Sequence, residues 1–378
     1  MEQELYFDNG ATTRTDPRVA EVITDMLVNC YGNPSSLHKK GLEAQLRMDK
    51  ARRQAAALIG CEAKNLTFTS GATEANNLAV FGAVTARKHG GKKIVTTAFE
   101  HSSIIAPCRQ LEKEGYQVVW VKPNSQGSID AQDVIREVDR DTVLVACMMV
   151  NNELGTILPI EQIVRGARRN NPEVFIHCDA VQALGKLPFK ANKLGVDSMS
   201  VSGHKIHGPK GIGALYLKDG SRILPRTFGG EQEKRLRPGT ENAAYAVGFG
   251  EACSLMSQYG NAYMEQIKAC NTRLRQLLAG KEGILIHSPD DALPTILNLS
   301  VVGIRSEIML HYLEQKGICV SSGSACAKGA KSHVLAAMGL TEKEIDSAIR
   351  ISFSHENTLE QVDILAQALL DGQREIKR

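Results

Sequence analysis

A lysine, a carboxylate, a histidine and a distant cysteine are the residues whose types and surroundings point to covalent chemistry. Lys205 lies in Ser202-Gly203-His204-Lys205-Ile206-His207-Gly208-Pro209-Lys210-Gly211, a polar turn between two apolar, strand-like runs at 198–201 and 212–217. Such flanks place the turn at the edge of a buried sheet, where an ammonium group is costly to keep charged. Desolvation lowers the pKa of a lysine held there and makes it a nucleophilic amine suited to Schiff-base formation. A solvated loop lysine is the plainer reading of the same residue, so its neighbours in space must decide.

Asp179 ends the apolar run 174–179, with Gln182 three residues on. A buried carboxylate needs a cationic partner such as a protonated ring nitrogen; the alternative is a helix N-cap for 180–183. Gly71-Ala72-Thr73 follows a strand-like run at 66–69 and opens a helical pattern reaching about residue 88. Backbone N–H groups at such a start, with the Thr73 hydroxyl, form an anion-binding arrangement. His101, after another strand-like run, can stack on an aromatic ring or carry protons. An amine, a carboxylate, a histidine and an anion cradle together describe a site for pyridoxal phosphate. Cys326 stands in Ser322-Gly323-Ser324-Ala325-Cys326-Ala327-Lys328, among small residues, with Lys328 and Lys331 close enough in sequence to favour its thiolate. Two other motifs lead nowhere: Gly208-Pro209-Lys210-Gly211-Ile212-Gly213 precedes a strand rather than a nucleotide-binding helix, and His204 with His207 lacks a third convergent metal ligand.

The frame that would position these residues is α/β. Strand-like runs at 66–69, 94–97, 116–121, 142–150 and 174–179 alternate with helical patterns at 72–88, 129–138 and 159–169. This argues for a mostly parallel sheet covered on both faces, with ligands at the carboxyl ends of its strands. A further helix carries apolar positions at Leu42, Leu46, Ala51, Ala55 and Leu58 and closes on Gly60. After about residue 249 the texture changes to a long helix (251–278), strands at 284–287, 296–302, 318–320 and 348–353, and intervening helices. Two domains are expected: a large one over 15–250, and a small α+β one from 1–14 and 251–378 that carries the cysteine loop.

Composition narrows the function classes. A formal charge of +3 on 378 residues argues against a dedicated nucleic-acid or membrane binder, with Arg165, Arg168 and Arg169 expected on a solvated helix face. The acidic N-terminus lacks the features of a signal peptide, and no apolar run approaches the ~18 residues of a membrane span. The expectation is a cytoplasmic protein. Nine cysteines without a Cys-x-x-Cys pair support neither a disulfide framework nor a zinc knuckle.

The motifs, in order, resemble the NifS/IscS-type cysteine desulfurases, fold-type I pyridoxal-phosphate enzymes of the class V aminotransferase family. The resemblance rests on Asp8-Asn9 to Thr13, Gly32-Asn33-Pro34-Ser35-Ser36, Ser70-Gly71-Ala72-Thr73-Glu74-Ala75-Asn76-Asn77, Glu100-His101, Val150-Asn151-Asn152-Glu153-Leu154-Gly155, Asp179-Ala180-Val181-Gln182, Ser202-Gly203-His204-Lys205, Arg237-Pro238-Gly239-Thr240 and Ser322-Gly323-Ser324-Ala325-Cys326. The last motif is similar to the group I branch. The resemblance implies a seven-stranded, mostly parallel sheet and a homodimer. It implies that Lys205 holds pyridoxal phosphate as a Schiff base and moves the substrate Cα proton, and that His101 stacks on the ring and handles the thiol proton. Asp179 would pair with the ring nitrogen and Gln182 with the ring hydroxyl. Ala72, Thr73, Ser202 and His204 would bind phosphate, joined by Thr240 from the other subunit. Asn152 and Arg350 would hold the carboxylate of L-cysteine, and Cys326 would take its sulfur as a persulfide for an acceptor such as an iron–sulfur scaffold or a tRNA-thiolation enzyme.

Two departures stand out. Gly10 occupies a position where the family usually has alanine, and Gly329-Ala330-Lys331-Ser332 replaces a longer Glu-Pro-Ser stretch before His333-Val334-Leu335, which bears on the choice of acceptor. Rival readings from sequence are a selenocysteine lyase or small-substrate aminotransferase of the same fold, and a non-enzymatic scaffold without cofactor.

Overall fold

The computed structural model describes residues 4–322 and 331–376. The described chain opens with a short strand, β1 (Leu5–Tyr6), and two helices, Pro17–Val28 and Lys39–Ile59. Asp16 caps the first by accepting from Arg18 N, with Pro17 at its first position, and Gly60 ends the second in a left-handed conformation. Then β2 (Leu66–Thr69), β3 (Lys93–Thr97), β4 (Gln117–Val121), β5 (Thr142–Met148), β6 (Phe175–Asp179), β7 (Ser198–Ser202) and β8 (Gly213–Leu217) form one seven-stranded sheet in the order β2-β8-β7-β6-β5-β3-β4. The pairs from β7 to β4 are parallel, and β8 runs antiparallel to both β7 and β2. The expected mostly parallel sheet is thus observed, with two antiparallel pairings at one side.

Alternation along the strands divides the core between the two faces. Ile94, Leu144 and Phe175 pack with Ala79, Ala83, Ile104 and Cys108 of the helices Ala72–Ala86 and Ser102–Lys113. Val95, Val145 and Ile176 pack on the other face with Ile163 and Ala167 of the helix Ile160–Asn170 and with Phe249.

Beyond the 36-residue helix Ala243–Leu278, β9 (Ile284–Ile286), β10 (Ile296–Val301), β11 (Ile318–Cys319), β12 (Ser321–Ser322) and β13 (Ala348–Ser352) build the rest. A four-stranded sheet runs β12-β13-β10-β9, and β1 pairs in parallel with β11. Leu5 and Phe7 share a hydrophobic cluster with Leu297, Leu299, Ile349, Ile351, Leu365 and Leu369. The N-terminal segment therefore packs with the C-terminal elements.

Several details differ from the sequence expectations. The long helix begins at Ala243, where Asn242 accepts from Tyr245 N, and so runs through position 250 without a break. The helix expected over 129–138 shortens to Ala131–Ile135. Leu42 and Leu46 face outward, 53% and 58% exposed, while Ala44, Met48, Ala51 and Ala55 form the buried stripe. Arg168 is not on a solvated face: it pairs with the largely buried Asp197 at 2.5 Å and donates to Pro172 O and Val174 O.

Candidate active site

The carboxyl ends of β5, β6 and β7 open into a cavity of about 530 Å³, roofed by residues 10–12 and reached from the small sheet by Arg350. Ala72, Thr73, His101, Asn152, Asp179, Gln182, Ser202, His204, Lys205 and Arg350 all line it. Thr240 is exposed and does not. Cys326 lies outside the described residues.

Lys205 ends a 3-10 turn (Gly203–Lys205) directly after β7, an interior strand of the sheet. Its Nζ donates to Gly10 O and, at 2.7 Å, to Ala11 O. Gly10 O also accepts from Gln182 Nε2 at 3.1 Å, so one carbonyl of the N-terminal segment ties two site residues together. Gly10 N in turn donates to Ser352 Oγ on β13.

Asp179 closes β6 and is 5% exposed. Its Oδ2 accepts from Asn76 Nδ2 at 2.8 Å and its Oδ1 from Val181 N at 3.0 Å. Turns rather than a helix follow, and Asp179 caps the first of them through Val181 N while also lining the cavity. His101 caps the helix Ser102–Lys113, its Nδ1 accepting from Ser103 N at 3.2 Å. Burial lowers its pKa, opposed by Asp179 and assisted by Lys205 and His333.

The helix Ala72–Ala86 begins where β2 and β8 meet. A Cβ on Gly213 would lie 2.5 Å from Val201 O and 2.9 Å from Gly71 Cα, so glycine there lets the helix start come close. The free N–H groups of the first turn, with Thr73, Ser202 and His204 around the same cavity, make a setting for an anion. Burial, then the Lys205 charge, hold His204 neutral, with its pKa down to about 3. Glu74, which also lines the cavity, accepts from Arg237 Nε at 3.0 Å and from Ser70 N.

Arg350 lies on β13 and is 2% exposed. It donates to Asp8 Oδ1 at 2.9 Å and Asn152 O at 3.1 Å. Its Nε is buried and has no hydrogen-bond partner among the described residues, leaving donor capacity for an incoming carboxylate.

Several residues around the cavity had no role assigned from sequence: Asn76, Ser103, His177, Glu100, Glu153, Lys186 and Asp8. Burial raises the Glu100 carboxyl to about 8, although Thr97 Oγ1 and Met148 N donate to it. Glu153 is raised to about 7 by burial, against the hydrogen bond from Ser332 Oγ and the charge of Arg350. Polar residues within otherwise apolar runs, such as Asn76 in Ala-Asn-Asn-Leu-Ala-Val, were the available signal.

The donor set suits pyridoxal phosphate: an amine for its aldehyde, a buried carboxylate for its ring nitrogen, and a helix start with hydroxyls for its phosphate. Among the described residues no group of histidine, cysteine and acidic side chains is arranged to hold a metal, and no helix is long and apolar enough to cross a membrane.

Comparison with known proteins agrees with this geometry. The chain is 40% identical over 374 residues to a putative cysteine desulfurase IscS 1 of Bacillus subtilis (strain 168), covering 98% of both chains. A solved NifS-like protein superposes with a TM-score of 0.92 at 36% identity, covering 98% of this chain and 99% of that one. The structure described as SspA in complex with cysteine matches at a TM-score of 0.78 and 31% identity, over 93% of this chain and 99% of its own. The family model for aminotransferase class-V matches residues 5–365, from the first strand to the last helix, and the chain belongs to that family.

Proposed function

We propose that this protein is a pyridoxal-phosphate-dependent cysteine desulfurase that converts L-cysteine to L-alanine and leaves the sulfur as a persulfide on Cys326. The observation that carries the reading is the convergence of the Lys205 amine, the Asp179 carboxylate and the Arg350 guanidinium on one cavity. Its likeness across 98% of the chain to a named cysteine desulfurase supports it.

The cofactor, when bound, supplies an electron sink that makes the substrate Cα proton labile. Lys205 anchors it and carries that proton on Nζ. Asp179 holds the ring nitrogen protonated, Gln182 donates to the ring hydroxyl, and Ala72, Thr73, Ser202 and His204 bind the phosphate. Arg350 and Asn152 orient the substrate carboxylate. His101 packs on the ring and handles the proton at the substrate sulfur. Cys326 attacks the substrate sulfur as thiolate: the carbon–sulfur bond breaks, its electron pair stays with the carbon, and a sulfur–sulfur bond forms.

The reading includes a homodimer. Leu27, Val28, Tyr31, Leu37, Leu42 and Leu46 are exposed large apolar residues on the first two helices and their link, and would form part of the subunit contact. Thr240, itself exposed, would complete the partner's phosphate site. The persulfide would pass to an acceptor protein, an iron–sulfur scaffold or a tRNA-thiolation enzyme. A cytoplasmic setting agrees with the eight described cysteines all being free thiols.

Cys326→Ser tests the reading. It should abolish alanine formation in a single turnover while the visible absorbance of the lysine-bound cofactor persists. Sulfur release by that variant would sink the nucleophile assignment, and a protein that stays colourless after added pyridoxal phosphate would favour the scaffold reading.

A further inference from the structure

Behind the cavity, Asp179 and His101 are joined by a buried polar network whose other members, Asn76, His177 and Ser103, the reaction as described does not use. His177 and Asp179 are two apart on β6 and so share the sheet face covered by the helix Ala72–Ala86. Asn76, 0% exposed, meets both of them: its Oδ1 lies 2.9 Å from His177 Nε2 and its Nδ2 2.8 Å from Asp179 Oδ2. The same Nδ2 donates to Ser103 Oγ at 2.8 Å, and Ser103 Oγ lies 2.8 Å from His101 Nδ1. We propose that Asn76 is a positioning residue whose single amide orients the Asp179 carboxylate and the Ser103 hydroxyl that faces His101.

The direction of each hydrogen bond follows from donor inventory. Asp179 accepts from Asn76 Nδ2 at Oδ2 and from Val181 N at Oδ1. Asn76 Oδ1 can only accept, so His177 carries its proton on Nε2 and takes the Ser198 hydroxyl proton at Nδ1, 2.8 Å away across the β6–β7 pair. Burial keeps His177 neutral, at about 3, so this orientation does not switch at working pH. With the amide donating to Ser103 Oγ, that hydroxyl's own proton points to His101 Nδ1, which the Ser103 N–H also fills. His101 is therefore neutral, with its proton on Nε2. One amide thus orients the ring-nitrogen partner and the Ser103 hydroxyl, which with the Ser103 N–H donates to His101 Nδ1.

This rests on the desulfurase reading of the cavity, so the test uses a readout that does not depend on turnover. Ser103→Ala cuts only the arm to His101; Asn76→Asp places an acceptor where the amide donated. The charged and titratable groups facing His101 among the described residues are Asp179, Lys205 and His333, all unchanged in both variants. Full-length protein labelled with ¹⁵N-histidine is titrated by NMR with and without pyridoxal phosphate, alongside steady-state kinetics. In Ser103→Ala the His101 midpoint should move up by about one pH unit, with kcat down about tenfold and KM unchanged. In Asn76→Asp the Ser103 hydroxyl should turn to the new carboxylate and away from His101 Nδ1, so the His101 midpoint should again move up, with kcat down about a hundredfold. A His101 whose tautomer and midpoint match the parent's in Ser103→Ala overturns the proposal, even if Asn76→Asp fails to fold. Absence of cofactor absorbance or alanine formation in the parent protein would instead remove the functional reading and leave the NMR result standing.

Discussion

Replacing Lys186 by methionine is expected to stabilise the protein at neutral pH while loosening its hold on the cofactor. Among the described residues the amine's hydrogen-bond partner is Gln182 Oε1, at 3.4 Å, and no carboxylate offsets its charge. Burial pulls its pKa from 10.5 down to about 8. That difference corresponds to about 3 kcal/mol of bias against the ammonium form. The side chain is partly exposed, so solvent screening reduces the net cost to about 1.5 kcal/mol. The unfolded chain keeps this proton up to about 10.5 and the folded one releases it near 8. Below 8 both states are protonated and the penalty is full; between 8 and 10.5 the unfolded state binds more protons, and stability rises with pH. Lys186→Met should therefore gain about 1.5 kcal/mol at pH 7, and the gain should vanish by about pH 10.5. Urea unfolding followed by circular dichroism at pH 7, 9 and 10.5 measures this, read as the difference between the two proteins because cysteine thiols titrate in the same window. The cost of the native lysine has a use: by filling Gln182 Oε1 it turns Nε2 toward Gly10 O and the cavity. The variant should bind pyridoxal phosphate several-fold more weakly, by fluorescence titration. A less stable variant at pH 7, or a stability gap that does not change with pH, refutes the reasoning.

Glu100, raised to about 8 by burial, stays protonated in the fold while the unfolded chain ionises near 4.5. Its contribution is full below about 4.5 and lost as pH rises through 8, so Glu100→Gln should flatten the fall in Tm between pH 6 and 9 in calorimetry. Asp8→Ala leaves Arg350 buried with Asn152 O as its acceptor and should cost about 3 kcal/mol in urea unfolding, at the low end for a buried pair because Asp8 is 22% exposed. Asp8→Asn, which keeps an acceptor, should lose less. Leu42→Asp with Leu46→Asp should shift the sedimentation of the protein to that of a monomer without lowering its helical signal.

Much of the site was legible in the sequence because its residues sit where strand periodicity breaks into polar turns: Lys205 after β7, Asp179 ending β6, Thr73 after β2. Strand signals were strong because most of these strands are buried on both faces and read as apolar runs. What escaped was set by tertiary contact. Asn76 looks like one more helix residue until β6 brings His177 and Asp179 beneath it, 101 and 103 positions away. Lys186 carries no signal of its own in the sequence; in the fold it shares a small pocket with Met256 and Tyr263 of the helix Ala243–Leu278. Leu42 and Leu46 satisfy a helical period, yet they face outward, because the small residues Ala44, Ala51 and Ala55 are what allow the close approach to the long helix. Gly250, where a Cβ would lie 2.5 Å from Ala51 Cα, marks that contact from the other side.

The pairing of β1 with β11 has a consequence for how the protein comes into being. Leu5 meets Ile318, and Asp8 meets Arg350 342 residues later in the chain. At ~5–20 residues per second, the ribosome releases the partners of the N-terminal segment ~15–60 s after that segment has emerged. For that interval the large sheet can assemble, but the carbonyls of Gly10 and Ala11 have no small sheet to hold them over Lys205. Catalytic competence is thus a late event in biosynthesis, withheld until the final hundred residues have left the tunnel, and a chain cut short before β13 would carry a formed large sheet and no working enzyme.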